Sequence, residues 1–199
     1  MPGFSFPPGF TIPTPRLQIS PFDPNNPTHC AFLVQLWNTD DFISSCRQTK
    51  ISSPEEASSF LRRKVLGDYA HHGFGLFLVS RQVEDGWKPI GTVSLLKGIP
   101  PDPHYLAPDI GYAILPEESG QGYATEAALG LLKYAQEALG VDAVFGFCSA
   151  GNKRSRRVLE KIGLEFRGLR ALKVFGGDQS AVYVVPDMSE DLSVYGVDH

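Results

Sequence analysis

The sequence is poor in cysteine, in excess basic charge and in long apolar runs, and each shortage removes a class of protein. Its three cysteines, Cys30, Cys46 and Cys148, form no C-x-x-C pair and have no histidine at a zinc-site spacing. That argues against a disulfide framework or a structural zinc centre. Lys and Arg number 18 against 22 Asp and Glu, a net charge of −4, whereas a dedicated nucleic-acid-binding domain is usually basic. No window approaches the roughly 18 apolar residues of a membrane span. The first ten residues hold Pro2, Pro7 and Pro8 without a basic cluster or an unbroken apolar stretch, so they do not read as a secretory signal. The expectation is a reducing compartment, cytoplasmic or nucleocytoplasmic, and a chain with no metal site.

What remains can build a core. With 42% hydrophobic and 20% charged residues over 199 positions, the chain fits the about 100–200 residues of one domain. Residues 1–15 carry five prolines with Gly3 and Gly9 between them, a composition suited to an extended arm. Its Phe4, Phe6 and Phe10 can pack on the domain or on a second subunit, although a partly ordered tail is the simpler expectation. A single domain is expected over 16–186 and a solvated acidic tail over 187–199.

The order of elements within that domain follows from periodicity and caps. A strand is expected at 16–20, then a helix with Ala31, Val34 and Leu36 along one face. A second helix opens at Ser53-Pro54-Glu55-Glu56, where Ser53 can cap, Pro54 suits the first helical position and the acids complement the helix dipole. Strands at 75–81 and 89–96, either side of a polar turn at 84–86, read as an antiparallel hairpin. Residues 109–115 alternate as a strand that Pro116 stops. From Gly122 the period changes, and Ala124, Ala128, Leu131, Leu132, Ala135 and Leu139 share one face of a helix ending at Gly140. A strand at 143–148 follows, then a helix capped by Asn152 with Val158, Leu159 and Ile162 inward and Gly163 closing it. Strands at 169–175 and 181–185, joined by a turn at 176–178, complete the pattern.

The strand ending at Leu115 runs through Ser119-Gly120-Gln121-Gly122 into a helix N-terminus. Unpaired N–H groups and the helix dipole there favour an anion, and two glycines let it approach the backbone. An ordinary tight connection is the other reading. A P-loop is excluded, since no G-x-x-x-x-G-K-[ST] occurs. The dinucleotide fingerprint fails at Thr125 and at the position of Asp142.

Taken together, Gly111-Tyr112-Ala113-Ile114-Leu115-Pro116, Gly120-Gln121-Gly122-Tyr123-Ala124-Thr125-Glu126-Ala127, Asn152-Lys153-Arg154-Ser155 and Leu159-Glu160-Lys161-Ile162-Gly163-Leu164 resemble the acetyl-CoA half of the GNAT N-acetyltransferase superfamily. The nearest branch is that of the ribosomal-protein-alanine (RimJ/RimL-type) enzymes. The resemblance implies an α+β fold, an α/β/α sandwich around a mixed, mostly antiparallel sheet, splayed between the strands at 109–115 and 143–148. It further implies that pantetheine lies along Tyr112, Ile114 and Leu115. The pyrophosphate would rest on the N–H groups of Gly120, Gln121, Gly122, Tyr123 and Ala124, with Thr125 as a hydroxyl donor. Asn152 and Ser155 would reach the pantetheine and the thioester sulfur, and basic residues such as Arg157 the adenosine phosphate. The superfamily loop, Gln/Arg-x-x-Gly-x-Gly/Ala, places Ser119 where a long side chain is usual.

Acetyl transfer to an amine needs a polarised carbonyl, a neutral amine and a proton for the departing sulfur. A strand N–H near Ile114 or Leu115 is expected to hold the carbonyl. Many relatives protonate the sulfur with a tyrosine of the second helix, which is absent here. Ser155 is the matching hydroxyl, the alternative being that it caps the helix with Asn152. The base is open among Asp109, Glu117, Glu118 and His104, with Asp109 preferred. Cys148 reads as a buried inert thiol, and His71-His72 as an exposed helix end rather than a metal site. The basic run Lys153, Arg154, Arg156, Arg157 and Lys161 can meet CoA, contact RNA or be a solvated face. The expected activity is acetyl-CoA-dependent transfer to a primary amine, of a protein N-terminus or a small molecule, by direct attack in a ternary complex. The chain is expected to act as a monomer or homodimer without membrane or nucleic-acid partners. The alternatives are a non-catalytic CoA-binding sensor and an RNA- or ribosome-binding domain.

Overall fold

Alternating apolar residues build one eight-stranded sheet, and the computed structural model describes residues 5–99 and 104–197 of it and its surroundings. Phe4, residues 100–103 and the last two residues of the tail lie outside the described residues. The elements are β1 (Ile12–Pro13), β2 (Leu17–Pro21), α1 (Pro27–Trp37), α2 (Asp40–Cys46), α3 (Pro54–Phe60), α4 (Leu66–His72), β3 (Leu76–Val83), β4 (Gly86–Leu96), β5 (Asp109–Ile114), α5 (Tyr123–Leu139), β6 (Phe145–Ser149), α6 (Lys153–Lys161), β7 (Glu165–Ala171) and β8 (Gln179–Val184). The strand order is β1-β2-β3-β4-β5-β6-β8-β7, and every neighbouring pair is antiparallel except β5 with β6.

The register divides the sheet's side chains between two faces. Ile19, Phe77, Val79, Val93, Tyr112, Gly146, Cys148 and Tyr183 share one face, against which α5 and α6 pack. Gly146 permits this approach, because a Cβ there would overlap a Leu159 methyl and come within 3.0 Å of Leu164. Leu78, Thr92, Ser94, Asp109, Ala113, Phe145, Phe147 and Val182 lie on the other face. Ser53 caps α3 in a reciprocal capping box with Glu56, with Pro54 at the first helical position.

Several expectations change in the structure. In α1 the buried side chains are Cys30, Phe32, Leu33 and Leu36, while Ala31 is exposed. Helix α2 has no buried residue, so no apolar period announces it. A π-helical turn, Leu61–Val65, joins α3 to α4. The strand expected at 169–175 lies instead at Glu165–Ala171, since Lys173–Phe175 form a 3₁₀ turn leading to Gly176 and Gly177 at positive φ. In the arm, Phe6 stacks on Phe10 and meets Tyr69 and Phe77, and Phe10 meets Tyr134. The C-terminal segment buries Met188, Leu192 and Val197 in a second apolar cluster with Tyr105 and Phe145, where a solvated tail was expected. Among the described residues, no helix is long and apolar enough to cross a membrane.

Candidate active site

Strands β5 and β6 pair at one position only, Asp109 with Phe145, and diverge beyond it. On the opposite edge β5 pairs with β4 along its whole length, with the Leu115 N–H donating to Ile90 O at 2.9 Å. Antiparallel ladders alternate the direction of their backbone groups, so the N–H groups of Tyr112 and Ile114 point to the β6 side, into the gap. This corrects the expectation for Leu115. Its N–H belongs to the ladder and its side chain is buried, leaving Tyr112 and Ile114 as the donors that face the opening.

The loop from β5 to α5 is open, with left-handed backbone at both of its glycines. Ser119 donates its hydroxyl to Leu115 O at 3.2 Å, which closes the turn. Gly120 and Gly122 both have φ +81, and a Cβ on Gly120 would meet nothing within 4 Å. Helix α5 begins with no side-chain cap, so the N–H groups of Tyr123, Ala124 and Thr125 lack an intrahelical acceptor. Gln121 is exposed beside them. An open, uncapped cradle with two left-handed glycines fits a pyrophosphate.

Sequence reasoning missed Arg16. Its Nε donates to Glu126 Oε2 at 2.7 Å, its Nη1 to Gln121 O at 3.0 Å, and its guanidinium lies 4.7 Å from the centre of the Tyr123 ring. Nη2 stands 3.5 Å from where a Gly122 Cβ would be. Burial works against ionisation of Glu126, but the Thr14 hydroxyl, the Arg16 backbone N–H and its guanidinium outweigh it and hold the carboxyl below its usual range. A cation thus reaches the cradle from the turn between β1 and β2, although Ser119 offers no long side chain.

Across the gap, Asn152 Oδ1 caps α6 by accepting from the Ser155 N–H at 3.0 Å. The Ser155 hydroxyl is therefore not the cap. It lies 2.9 Å from the Tyr112 hydroxyl, which also reaches Ser155 O at 2.9 Å. Between the two hydroxyls either can be the donor. Burial pushes the Tyr112 phenol above its usual range, with the Ser155 contact opposing. The Cys148 thiol is also raised by burial, against a Ser155 hydrogen bond, which suits an unreactive thiol. The basic run divides by partner: Arg154 pairs with Asp41 at 2.9 Å, and Arg156 donates to Tyr183 Oη and stacks on Phe166. Lys153 and Arg157 are exposed and make no ion pair among the described residues.

The candidate bases also separate. Glu118 is held by Arg81 and Lys88, each at 2.9 Å, and the Arg81 hydrogen bond keeps it below the usual carboxylate range. It is a structural anion, which removes it as a base. Glu117 is exposed. Asp109 has no ion-pair partner among the described residues, and burial, opposed only by its own backbone N–H, pushes its carboxyl up to about 7. It lies on the sheet face opposite to Tyr112, three residues along β5. A desolvated carboxyl without a counter-charge at the closed end of a gap is a candidate for proton transfer.

The arrangement has relatives. The model of the acetyltransferase (GNAT) domain family matches residues 16–165. RimL, a ribosomal-protein alpha-N-acetyltransferase solved with coenzyme A, is similar at 19% identity and TM-score 0.71, over 88% of this chain and 97% of that one. A ribosomal-protein alanine acetyltransferase from Vibrio fischeri gives 17%, 0.70, 92% and 98% for the same quantities. An acetyltransferase from Agrobacterium tumefaciens gives 26%, 0.62, 91% and 95%. No curated protein sequence matches the chain. With the family model covering most of the sequence, and the splayed sheet and glycine cradle in the positions the motifs implied, the chain belongs to the GNAT acetyltransferase family.

Proposed function

We propose that this acetyltransferase moves an acetyl group from acetyl-CoA to a primary amine, of a protein N-terminus or a small molecule, by direct transfer with both substrates bound. The observation that carries the reading is the junction of an uncapped glycine cradle with a strand whose Tyr112 and Ile114 N–H groups face an open gap. Gly120, Gln121, Gly122, Tyr123 and Ala124 offer N–H groups to the pyrophosphate, with the Thr125 hydroxyl and Arg16 beside them. The β5 edge from Tyr112 to Ile114 offers a ladder for the pantetheine amides, Asn152 flanks it, and Arg157 is free for the adenosine phosphate. Bound acetyl-CoA supplies an activated thioester. The chain's own groups do the rest: strand N–H donors polarise a carbonyl placed in the gap. Asp109, with a proton affinity matched to neutral pH, accepts the ammonium proton through water. Ser155, backed by Tyr112, donates to the departing sulfur.

The test is thermal unfolding with CoA, acetyl-CoA, ATP and NAD, in the parent and in Gly122→Glu. It is followed by thiol release from acetyl-CoA across a panel of amines. A ligand at 100 times its Kd adds about 2.7 kcal/mol, which is a shift of several degrees for a domain of this size. Stabilisation by both CoA forms that the variant loses, with amine-dependent thiol release, is expected. No shift beyond that of ATP would overturn the reading.

A further inference from the structure

The sheet face opposite α5 and α6 is where an acceptor can meet the gap, since the cradle and α6 occupy the other side. Its rims are unlike one another. On β5 the residues of this face are Asp109, Gly111 and Ala113, so beyond the carboxyl this rim carries no bulk; the Ser94 hydroxyl lies 2.7 Å from where a Gly111 Cβ would be. On β6 it is Phe147, two residues past the last bridge to β5. The Phe147 ring stacks on Phe145 at 5.1 Å and lies 5.5 Å from Tyr105. It meets Phe175 edge-on at 5.5 Å and 70°, and Phe175 is 40% exposed. A continuous aromatic wall therefore runs from solvent at Phe175, through Phe147, to the buried end beside Asp109.

Charge narrows the acceptor further. The surface carboxylates Asp41 and Asp178 are matched by Arg154 and Arg47, and burial pushes the Asp109 carboxyl up to about 7. Among the residues of β5 and β6 on this face, Asp109, Gly111, Ala113, Phe145, Phe147 and Ser149, no other carboxyl stands ready for a second or third ammonium group. A polycation would leave its solvation shell for nothing, whereas one ammonium on a flat apolar body finds ring faces for the body and a single carboxyl for its proton.

Resting on the acetyltransferase reading, we propose that the acceptor is a small aralkyl monoamine, with Phe147 and Phe175 as its wall and Asp109 at the closed end, rather than a polyamine or an aminoglycoside. The assay is the rate of thiol release from acetyl-CoA with phenylethylamine, spermidine or kanamycin, in the parent and in Phe175→Ala. Phe175 is a partly exposed ring in a surface turn, so its loss leaves the fold intact, and Phe147→Leu provides a second, volume-conserving variant. The expected result is a kcat/KM for phenylethylamine at least about tenfold above that for spermidine. Each variant should raise the KM for that amine by about tenfold, with the KM for acetyl-CoA unchanged. Preference for spermidine or kanamycin, or a phenylethylamine KM indifferent to both variants, would overturn this inference and leave the acetyltransferase reading standing. Stabilisation by CoA with no amine of the three acetylated would also overturn it. Absence of any CoA stabilisation would remove the reading on which it rests.

Discussion

Replacing Arg16 by leucine tests whether the cradle has recruited a cation from outside its own loop. In the free protein Arg16 spends Nε on Glu126 and Nη1 on Gln121 O, and leaves Nη2 next to Gly122. The variant keeps an apolar stem on Tyr123, and Glu126 keeps the Thr14 hydroxyl at 2.6 Å and the backbone N–H of residue 16 at 2.7 Å. Because the Arg16 side chain is half exposed, losing its ion pair should cost the fold only about 1 kcal/mol or less. A charge-assisted bond from Nη2 to a phosphate oxygen is stronger, about 1.5–3 kcal/mol, which is roughly a 10- to 150-fold rise in Kd for CoA. Calorimetric titration with CoA and with pantetheine separates the possibilities, since pantetheine lacks the phosphates. The expected outcome is weakened CoA binding with unchanged pantetheine binding, and partial recovery in Arg16→Lys, which keeps a point charge but not the fork. Equal weakening of both ligands would mean that Arg16 only shapes the loop, and no change in either would mean that the guanidinium never meets the phosphate.

Tyr112→Phe removes one hydroxyl from the 2.9 Å contact with Ser155 and is expected to lower kcat by about 10- to 100-fold with little change in the KM for acetyl-CoA. Ser155→Ala should do the same and the double variant no worse, because the two hydroxyls act as a unit; multiplicative losses in steady-state kinetics would refute that. Asp109→Asn should abolish the acidic limb near pH 7 in kcat/KM, and it should also stabilise the fold at high pH. With the carboxyl raised from 3.8 to about 7, the unfolded chain releases its proton first. Stability therefore falls as pH rises through that window by up to about 4 kcal/mol in total, so the variant should exceed the parent at pH 8 and match it near pH 3 in denaturant titrations. Gly146→Ala drives a methyl into Leu159 and Leu164 and should cost about 1–3 kcal/mol, lowering Tm and displacing the helix that carries Ser155.

Elements whose evidence is local were legible in the sequence. The Ser53 capping box, the hairpin of β3 and β4, and helices α5 and α6 with their closing glycines each announce themselves within a window of a few residues. Helix α2 does not, since none of its side chains is buried, and neither do the positions of Met188, Leu192 and Val197, whose burial depends on Tyr105 and Phe145 far along the chain. The same division holds in the site. Glycines of the cradle and the Asn152 cap are sequence-local. The pairs that complete the site are not: Arg16 meets Glu126 across 110 residues, and Tyr112 meets Ser155 across 43.

Those two long-range pairs share a logic. A site requires a charge or a hydroxyl at a point in space, and the chain can bring it there from any element that passes nearby. The loop offers only the short Ser119 at its first position, and a cation arrives from Arg16, just before β2. Helix α6 has no tyrosine, and a phenol arrives from β5. Strand parity then arranges the two groups proposed to carry protons. Asp109 and Tyr112 are three residues apart on one strand, so they project to opposite faces: the carboxyl towards the face proposed for the amine, the phenol towards α6 and Ser155. A one-residue slip of β5 would exchange the two faces. The Tyr112 hydroxyl would then leave Ser155 for the other face, and the Asp109 carboxyl would turn to the face that α5 and α6 cover. The continuous β4–β5 ladder that holds this register is thus as much a part of the active site as the side chains it directs.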